Sequence, residues 1–145
     1  MQVIKSKDAA LTDLAAVVLL IATGKLHLYK DDGFVPDSSS TLADLNAHEA
    51  DYTGYASQTI GAGLGPYDDE IDQVAESFPT LIFQPTGPVL VSNDIRGCYF
   101  EDTAHNLRQS WIFDAAQPMA TVLDKILIDG KLFENFAAVT VEPSL

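Results

Sequence analysis

Few of the 145 residues carry side chains able to do chemistry. They are one cysteine, Cys98, three histidines, His27, His48 and His105, and 21 carboxylates set against eight basic groups. A catalytic nucleophile needs a Ser or Cys held against a base, commonly on a sharp turn. Ser92, Ser110 and Cys98 stand in no such context. A lone Cys in an apolar run reads as a small buried hydrophobe. It also excludes an intramolecular disulfide and a four-thiolate zinc site. His27 lies between Leu26 and Leu28 on an alternating segment and is expected to face outward. The Gly61-Ala62-Gly63-Leu64-Gly65 stretch lacks the Lys-Ser/Thr pair of a phosphate-binding loop, and the carboxylates after it would repel phosphate. Asp68, Asp69, Glu70 and Asp72 could chelate a hard cation, but their spacing lacks the Gly and distal Glu of a calcium loop. A solvated acidic turn is the expectation. Hydrolysis of a glycosidic bond needs two carboxylates singled out from the rest, and none stand apart. The chain is therefore read as non-enzymatic, with no cofactor and no metal.

The net charge of −13 narrows the partners. Nucleic-acid binding rests on Lys and Arg neutralising phosphates, and no stretch of this chain clusters them. Anionic membrane surfaces are disfavoured by the same logic. Leu14 to Ala22 is continuously apolar yet far short of the roughly 20 residues that span a bilayer. Asp8 and Asp13 interrupt the basic start of a secretion signal, and no A-x-A motif follows. A buried helix is the better reading.

The elements that must position these groups divide into one helix and many short strands. Residues 8–23 predict the helix, with Ser6 or Asp8 as its cap and Gly24 as a left-handed terminator. Its second half is apolar all round, which requires cover on every side, part of it from a neighbouring subunit. Leu26–Lys30 alternates as a half-buried strand. Thr41–Ala50 offers a helical turn or two, Tyr52–Ile60 an extended piece broken by Gly54, and Gly61 to about Ser77 a flexible acidic loop. Short strands are expected at Thr80–Gln84, Val89–Val91, Arg96–Glu101, Leu107–Asp114, Met119–Leu123, Lys125–Ile128, Lys131–Phe133 and Phe136–Glu142. Turns fall at Pro85-Thr86-Gly87-Pro88, Asn93-Asp94 and Asp129-Gly130, the last a hairpin signal. The result is a mainly β (α+β) chain: an antiparallel β-sandwich or barrel-like sheet with one N-terminal α-helix, in a single domain over 1–145.

The aromatic residues carry a structural message. Cys98 and Phe100 share one strand face and Gly97 and Tyr99 the other, while Trp111 and Phe113 lie opposite Ile112. Paired antiparallel, such strands stack aromatic on aliphatic partners. A strand apolar on both faces needs two covering layers or another subunit. Leu14, Val17, Val18, Leu20, Ile21, Tyr99, Trp111 and Phe113 are the candidate interface.

The order of segments carries a resemblance. Leu26-His27-Leu28-Tyr29-Lys30 precedes a Pro/Ser loop, then Thr41-Leu42-Ala43-Asp44-Leu45 leads into Glu49-Ala50-Asp51-Tyr52-Thr53-Gly54-Tyr55. Further on, Ile95-Arg96-Gly97-Cys98-Tyr99-Phe100 is followed by Ser110-Trp111-Ile112-Phe113-Asp114. This pattern resembles a group of small structural proteins encoded by tailed double-stranded-DNA phages, near their capsid and tail genes. The resemblance implies a β-rich virion component. With the acidity and the incompletely covered helix, it leads to the expectation of a capsid decoration (cement) protein. Such a subunit would sit on the outer face of the head shell, bind the major capsid protein and self-associate as a homotrimer. A tail, baseplate or fibre module that recognises a host receptor is the alternative.

Overall fold

The computed structural model describes residues 2–70, 72–135 and 138–140. Strand makes up 38% and helix 17%, so the fold is mainly β, with antiparallel sheets of which, among the described residues, none closes into a barrel. After strand β1 (Gln2–Ile4), helix α1 spans Lys7–Ala22, and the Ser6 hydroxyl accepts the Ala9 N–H at 3.1 Å as its N-cap. Gly24 has a different role from the one expected. Thr23 ends the helix in right-handed geometry, and Gly24 is required for space, because a Cβ there would run into the Phe100 ring.

The central sheet has four strands in the order β3 (Gln58–Thr59), β2 (Lys25–Lys30), β7 (Asn93–Glu101) and β8 (Leu107–Met119), all antiparallel. Directly opposed residues share a face, so the register sorts the side chains. Leu26, Leu28, Cys98, Phe100 and Trp111 lie on one face, and His27, Tyr29, Gly97 and Tyr99 on the other. The first face packs against a two-stranded ribbon, β6 (Leu81–Phe83) with β9 (Ile126–Ile128), through Leu81, Phe83 and Ile126. The second face is covered by α2 (Leu42–Asn46) and its flanks, with Leu45 buried against Tyr29 and Tyr99. A Thr41/Asp44 capping box starts that helix, each side chain bonding the other's backbone N–H.

Several expectations are corrected. His27 and Tyr29 are buried, because α2 covers the face that strand alternation assigned to solvent. The expected acidic loop contains a hairpin, β4 (Pro66–Glu70) with β5 (Gln73–Ser77), and Asp72 takes a left-handed turn conformation at φ 61°. Of Tyr52–Ile60 only β3 is strand; Gly54, at φ +86°, turns the chain. Val89–Val91 is irregular, since the N–H groups of Leu90 and Val91 both donate to the Thr53 hydroxyl at 2.9 Å. Beyond Met119, the Asp124 carboxylate accepts the Ala120 and Thr121 N–H groups and makes a turn where a strand was expected. Asp129-Gly130 closes no hairpin. It passes the chain from β9, paired with β6, to β10 (Lys131–Asn135), paired with β5, and a Thr80–Asp129 side-chain hydrogen bond secures the crossing. The last expected strand is described only as β11 (Ala138–Thr140), paired with β1; the rest of Phe136–Glu142 lies outside the described residues.

Candidate functional site

Two places in the molecule concentrate unusual features: a polar cluster around His27 and an apolar surface along β8.

The His27 ring stacks on Tyr99, its cross-strand partner, with centroids 4.7 Å apart and planes 7° from parallel. Its two nitrogens point to opposite sides. Nδ1 lies 2.7 Å from Glu49 Oε1 and Nε2 lies 2.7 Å from Glu101 Oε2. The carboxylates come from opposite sides of β2. Glu101 ends β7, and Glu49 sits on the segment after α2 that bonds β2 through Lys30 N–H to His48 O and Ala50 N–H to Leu28 O. A neutral imidazole has one N–H and one acceptor nitrogen, so two facing carboxylates call for the doubly protonated ring. Burial alone would lower the His27 pKa, yet Glu49 and Glu101 outweigh it and hold the value above 6.5. Burial pushes the carboxyls of Glu49 and Glu101 upward, but their hydrogen bonds to His27, Tyr55 and His105 leave both below the ordinary value.

Further bonds complete the cluster. The Tyr55 hydroxyl donates to Glu49 Oε1 at 2.8 Å and accepts the Leu28 N–H at 3.1 Å. The Tyr99 hydroxyl donates to Asn46 Oδ1 at 2.7 Å, and His105 Nδ1 lies 2.8 Å from Glu101 Oε1. A cavity of about 340 Å³ opens beside His27, Glu101 and His105, lined also by Lys25, Thr23, Ser57 and Thr103. Both His27 nitrogens are engaged by the chain's own carboxylates, and no hydroxyl lining the cavity bonds a histidine. The arrangement is thus chemically an ion bridge that ties three segments together. His48, next to Glu49 in the chain, turns away from this cluster, pairing Asp32 at 2.7 Å and stacking on Phe34. Cys98 is buried and its thiol is pushed up to about 12, which makes it a poor nucleophile at neutral pH. Among the described residues no three His, Cys, Asp or Glu side chains are grouped to hold a metal ion.

The sequence-derived interface residues separate into three groups. Leu14 and Tyr99 are buried within the chain itself, so neither can meet another subunit in this fold. Val18 packs beside Leu14 against Val74, Val17 is on the solvent side of α1, and Leu20 is half-buried. Ile21, Trp111 and Phe113 come together, lining one groove of about 740 Å³ with Phe78, Leu127 and Ile128. Leu19, Ile112 and Leu127, at 71%, 48% and 55% exposure, were missed by sequence reasoning, which had no means of telling which side of an all-apolar segment faces water. Among the described residues no helix is long and apolar enough to cross a membrane. Compared with protein-family models, curated proteins and solved structures, the chain gives no match.

Proposed function

We propose that this chain is a non-enzymatic virion subunit of a tailed phage, decorating the outer surface of the head shell as a homo-oligomer bound to the major capsid protein. The observation that carries the reading is the apolar surface along β8. Trp111 is 41% exposed beside exposed Ile112 and Leu127, at the rim of an apolar groove, on a strand that is the open edge of its sheet among the described residues. Contiguous exposed apolar surface of this kind marks an interaction site, and a long open edge strand invites pairing. The charge of −13 favours a place away from packaged nucleic acid. The His27 cluster supports a structural role, because its imidazole is already saturated by internal partners. The segment order, which resembles that of small phage structural proteins, supports the virion setting.

Purified protein mixed with expanded head shells is expected to co-sediment with them at saturating stoichiometry. Failure to bind heads, together with recovery of the protein in isolated tails, overturns the reading. A tail or baseplate module is the second reading, favoured by the exposed indole of Trp111. It predicts binding on a glycan array, which a decoration subunit lacks.

A further inference from the structure

The described β8 edge has features that suit one partner in particular. Its ladder to β7 runs from Leu107 to Ile112, breaks, and resumes at Gln117. Across the break, Arg96 alone of β7 faces Phe113–Ala116, which keep strand conformation while slipped off their neighbour. The strand carries two charges, Arg108 and Asp114, placed three residues on either side of Trp111. It is therefore electrically neutral in a chain of net charge −13. Two copies of such a chain repel each other over most of their surfaces, and a neutral apolar strand is where that repulsion is least.

We propose that two copies of this chain pair β8 to β8 antiparallel, about a two-fold axis through Trp111. In that register Trp111 opposes Trp111 of the second copy, Ser110 opposes Ile112, Gln109 opposes Phe113, and Arg108 opposes Asp114. Each of the last three occurs twice by symmetry, which is the self-complementarity an isologous interface requires. Arg108 donates through Nε to Asp102 at 2.6 Å and its side chain remains about half exposed, so its terminal N–H groups are available to the second copy's carboxylate. The two four-stranded sheets join into one that is continuous across the axis, with two indoles meeting at the centre on the groove side. A self-complementary strand closes at two copies, where the trimer expected from sequence needs a head-to-tail surface.

The pairing deepens the assembly reading and rests on the adhesive surface that supports it. Sedimentation equilibrium of the full chain at micromolar concentration is expected to give twice the 15.7 kDa of one chain. With D114R, two guanidinium groups oppose each other at both symmetric positions. With R108E, two carboxylates do so instead. Each variant alone is expected to weaken the dimer roughly tenfold. In an equimolar mixture of the two, a heterodimer has opposite charges facing each other at both positions, so the dimer is expected to recover as a heterodimer. Because Arg108 also holds Asp102, W111C provides an independent measurement. Under oxidising conditions it is expected to form a symmetric disulfide at the axis, whereas Q109C, which opposes Phe113, is expected not to self-link. A monomer at these concentrations, or a dimer unchanged by D114R with equal cross-linking at both cysteines, overturns the pairing. A dimer that ignores head shells refutes the decoration reading alone, and a monomer that coats them refutes the pairing alone.

Discussion

Replacing His27 by Phe keeps a flat ring against Tyr99 and removes both bonds to Glu49 and Glu101. Two carboxylates from opposite sides of β2 are then left facing an apolar ring. Taking one partner from a fully buried ion pair costs about 3–5 kcal/mol. Glu49 and Glu101 keep 29% and 14% of their side-chain surface exposed, and each retains a second partner, Tyr55 or His105. Water and those donors relieve part of the penalty, so the expected loss is roughly 2–3 kcal/mol. At about 3 °C per kcal/mol for a chain of this length, Tm falls by roughly 6–9 °C. Urea unfolding at several pH values adds a sharper signature. The His27 pKa is raised, so its contribution is present below 6.5 and lost as pH climbs through the raised value. The Glu49 and Glu101 pKa values are lowered, so theirs is present above 4.5 and lost as pH drops through the lowered values. The gap between wild type and His27→Phe is therefore widest between 4.5 and 6.5 and narrows in alkali and in strong acid. A gap below about 1 kcal/mol, or one equal in mild acid and in alkali, refutes the bridging-imidazolium account.

Three other substitutions or reactions test the packing. Gly97→Ala puts a Cβ into the Trp111 carbonyl and the Tyr29 hydroxyl, which are themselves hydrogen-bonded at 3.0 Å. It is expected to cost roughly 2–4 kcal/mol by chemical denaturation. Thr41→Ala removes half of the capping box at α2 and is expected to cost about 1 kcal/mol in the same assay. Cys98, with its thiol raised to about 12 by burial, is expected to react with a disulfide reagent more than ~100-fold slower in native protein than in denaturant. Comparable rates would place it outside the core.

What the sequence made legible was whatever a local signal could settle. The Ser6 cap, the apolar α1, the alternating Leu26 and Leu28, and the Thr41–Asp44 start of α2 all stand in short windows with one reading each. Misreadings arose where tertiary cover reversed a local rule. His27 looks exposed by alternation, and only α2 folding over its face makes it the centre of an ion bridge. Glu49 and Glu101 are 52 positions apart, and no spacing rule links either to His27. Asp129-Gly130 has hairpin chemistry, but the pairing partners of β9 and β10 lie in different sheets, so the turn serves a crossing. The acidic stretch around Asp68 reads as solvated, and its hairpin shows only once Val74 of β5 is seen buried against Ala10 and Leu14 of α1.

The proposed place of this chain on the phage head exterior is best checked by the protein content of purified particles separated into heads and tails. The chain is expected in the head fraction at many copies, released by mild denaturant with the packaged DNA still retained. Its confinement to tails, or its absence from both fractions, rules that place out.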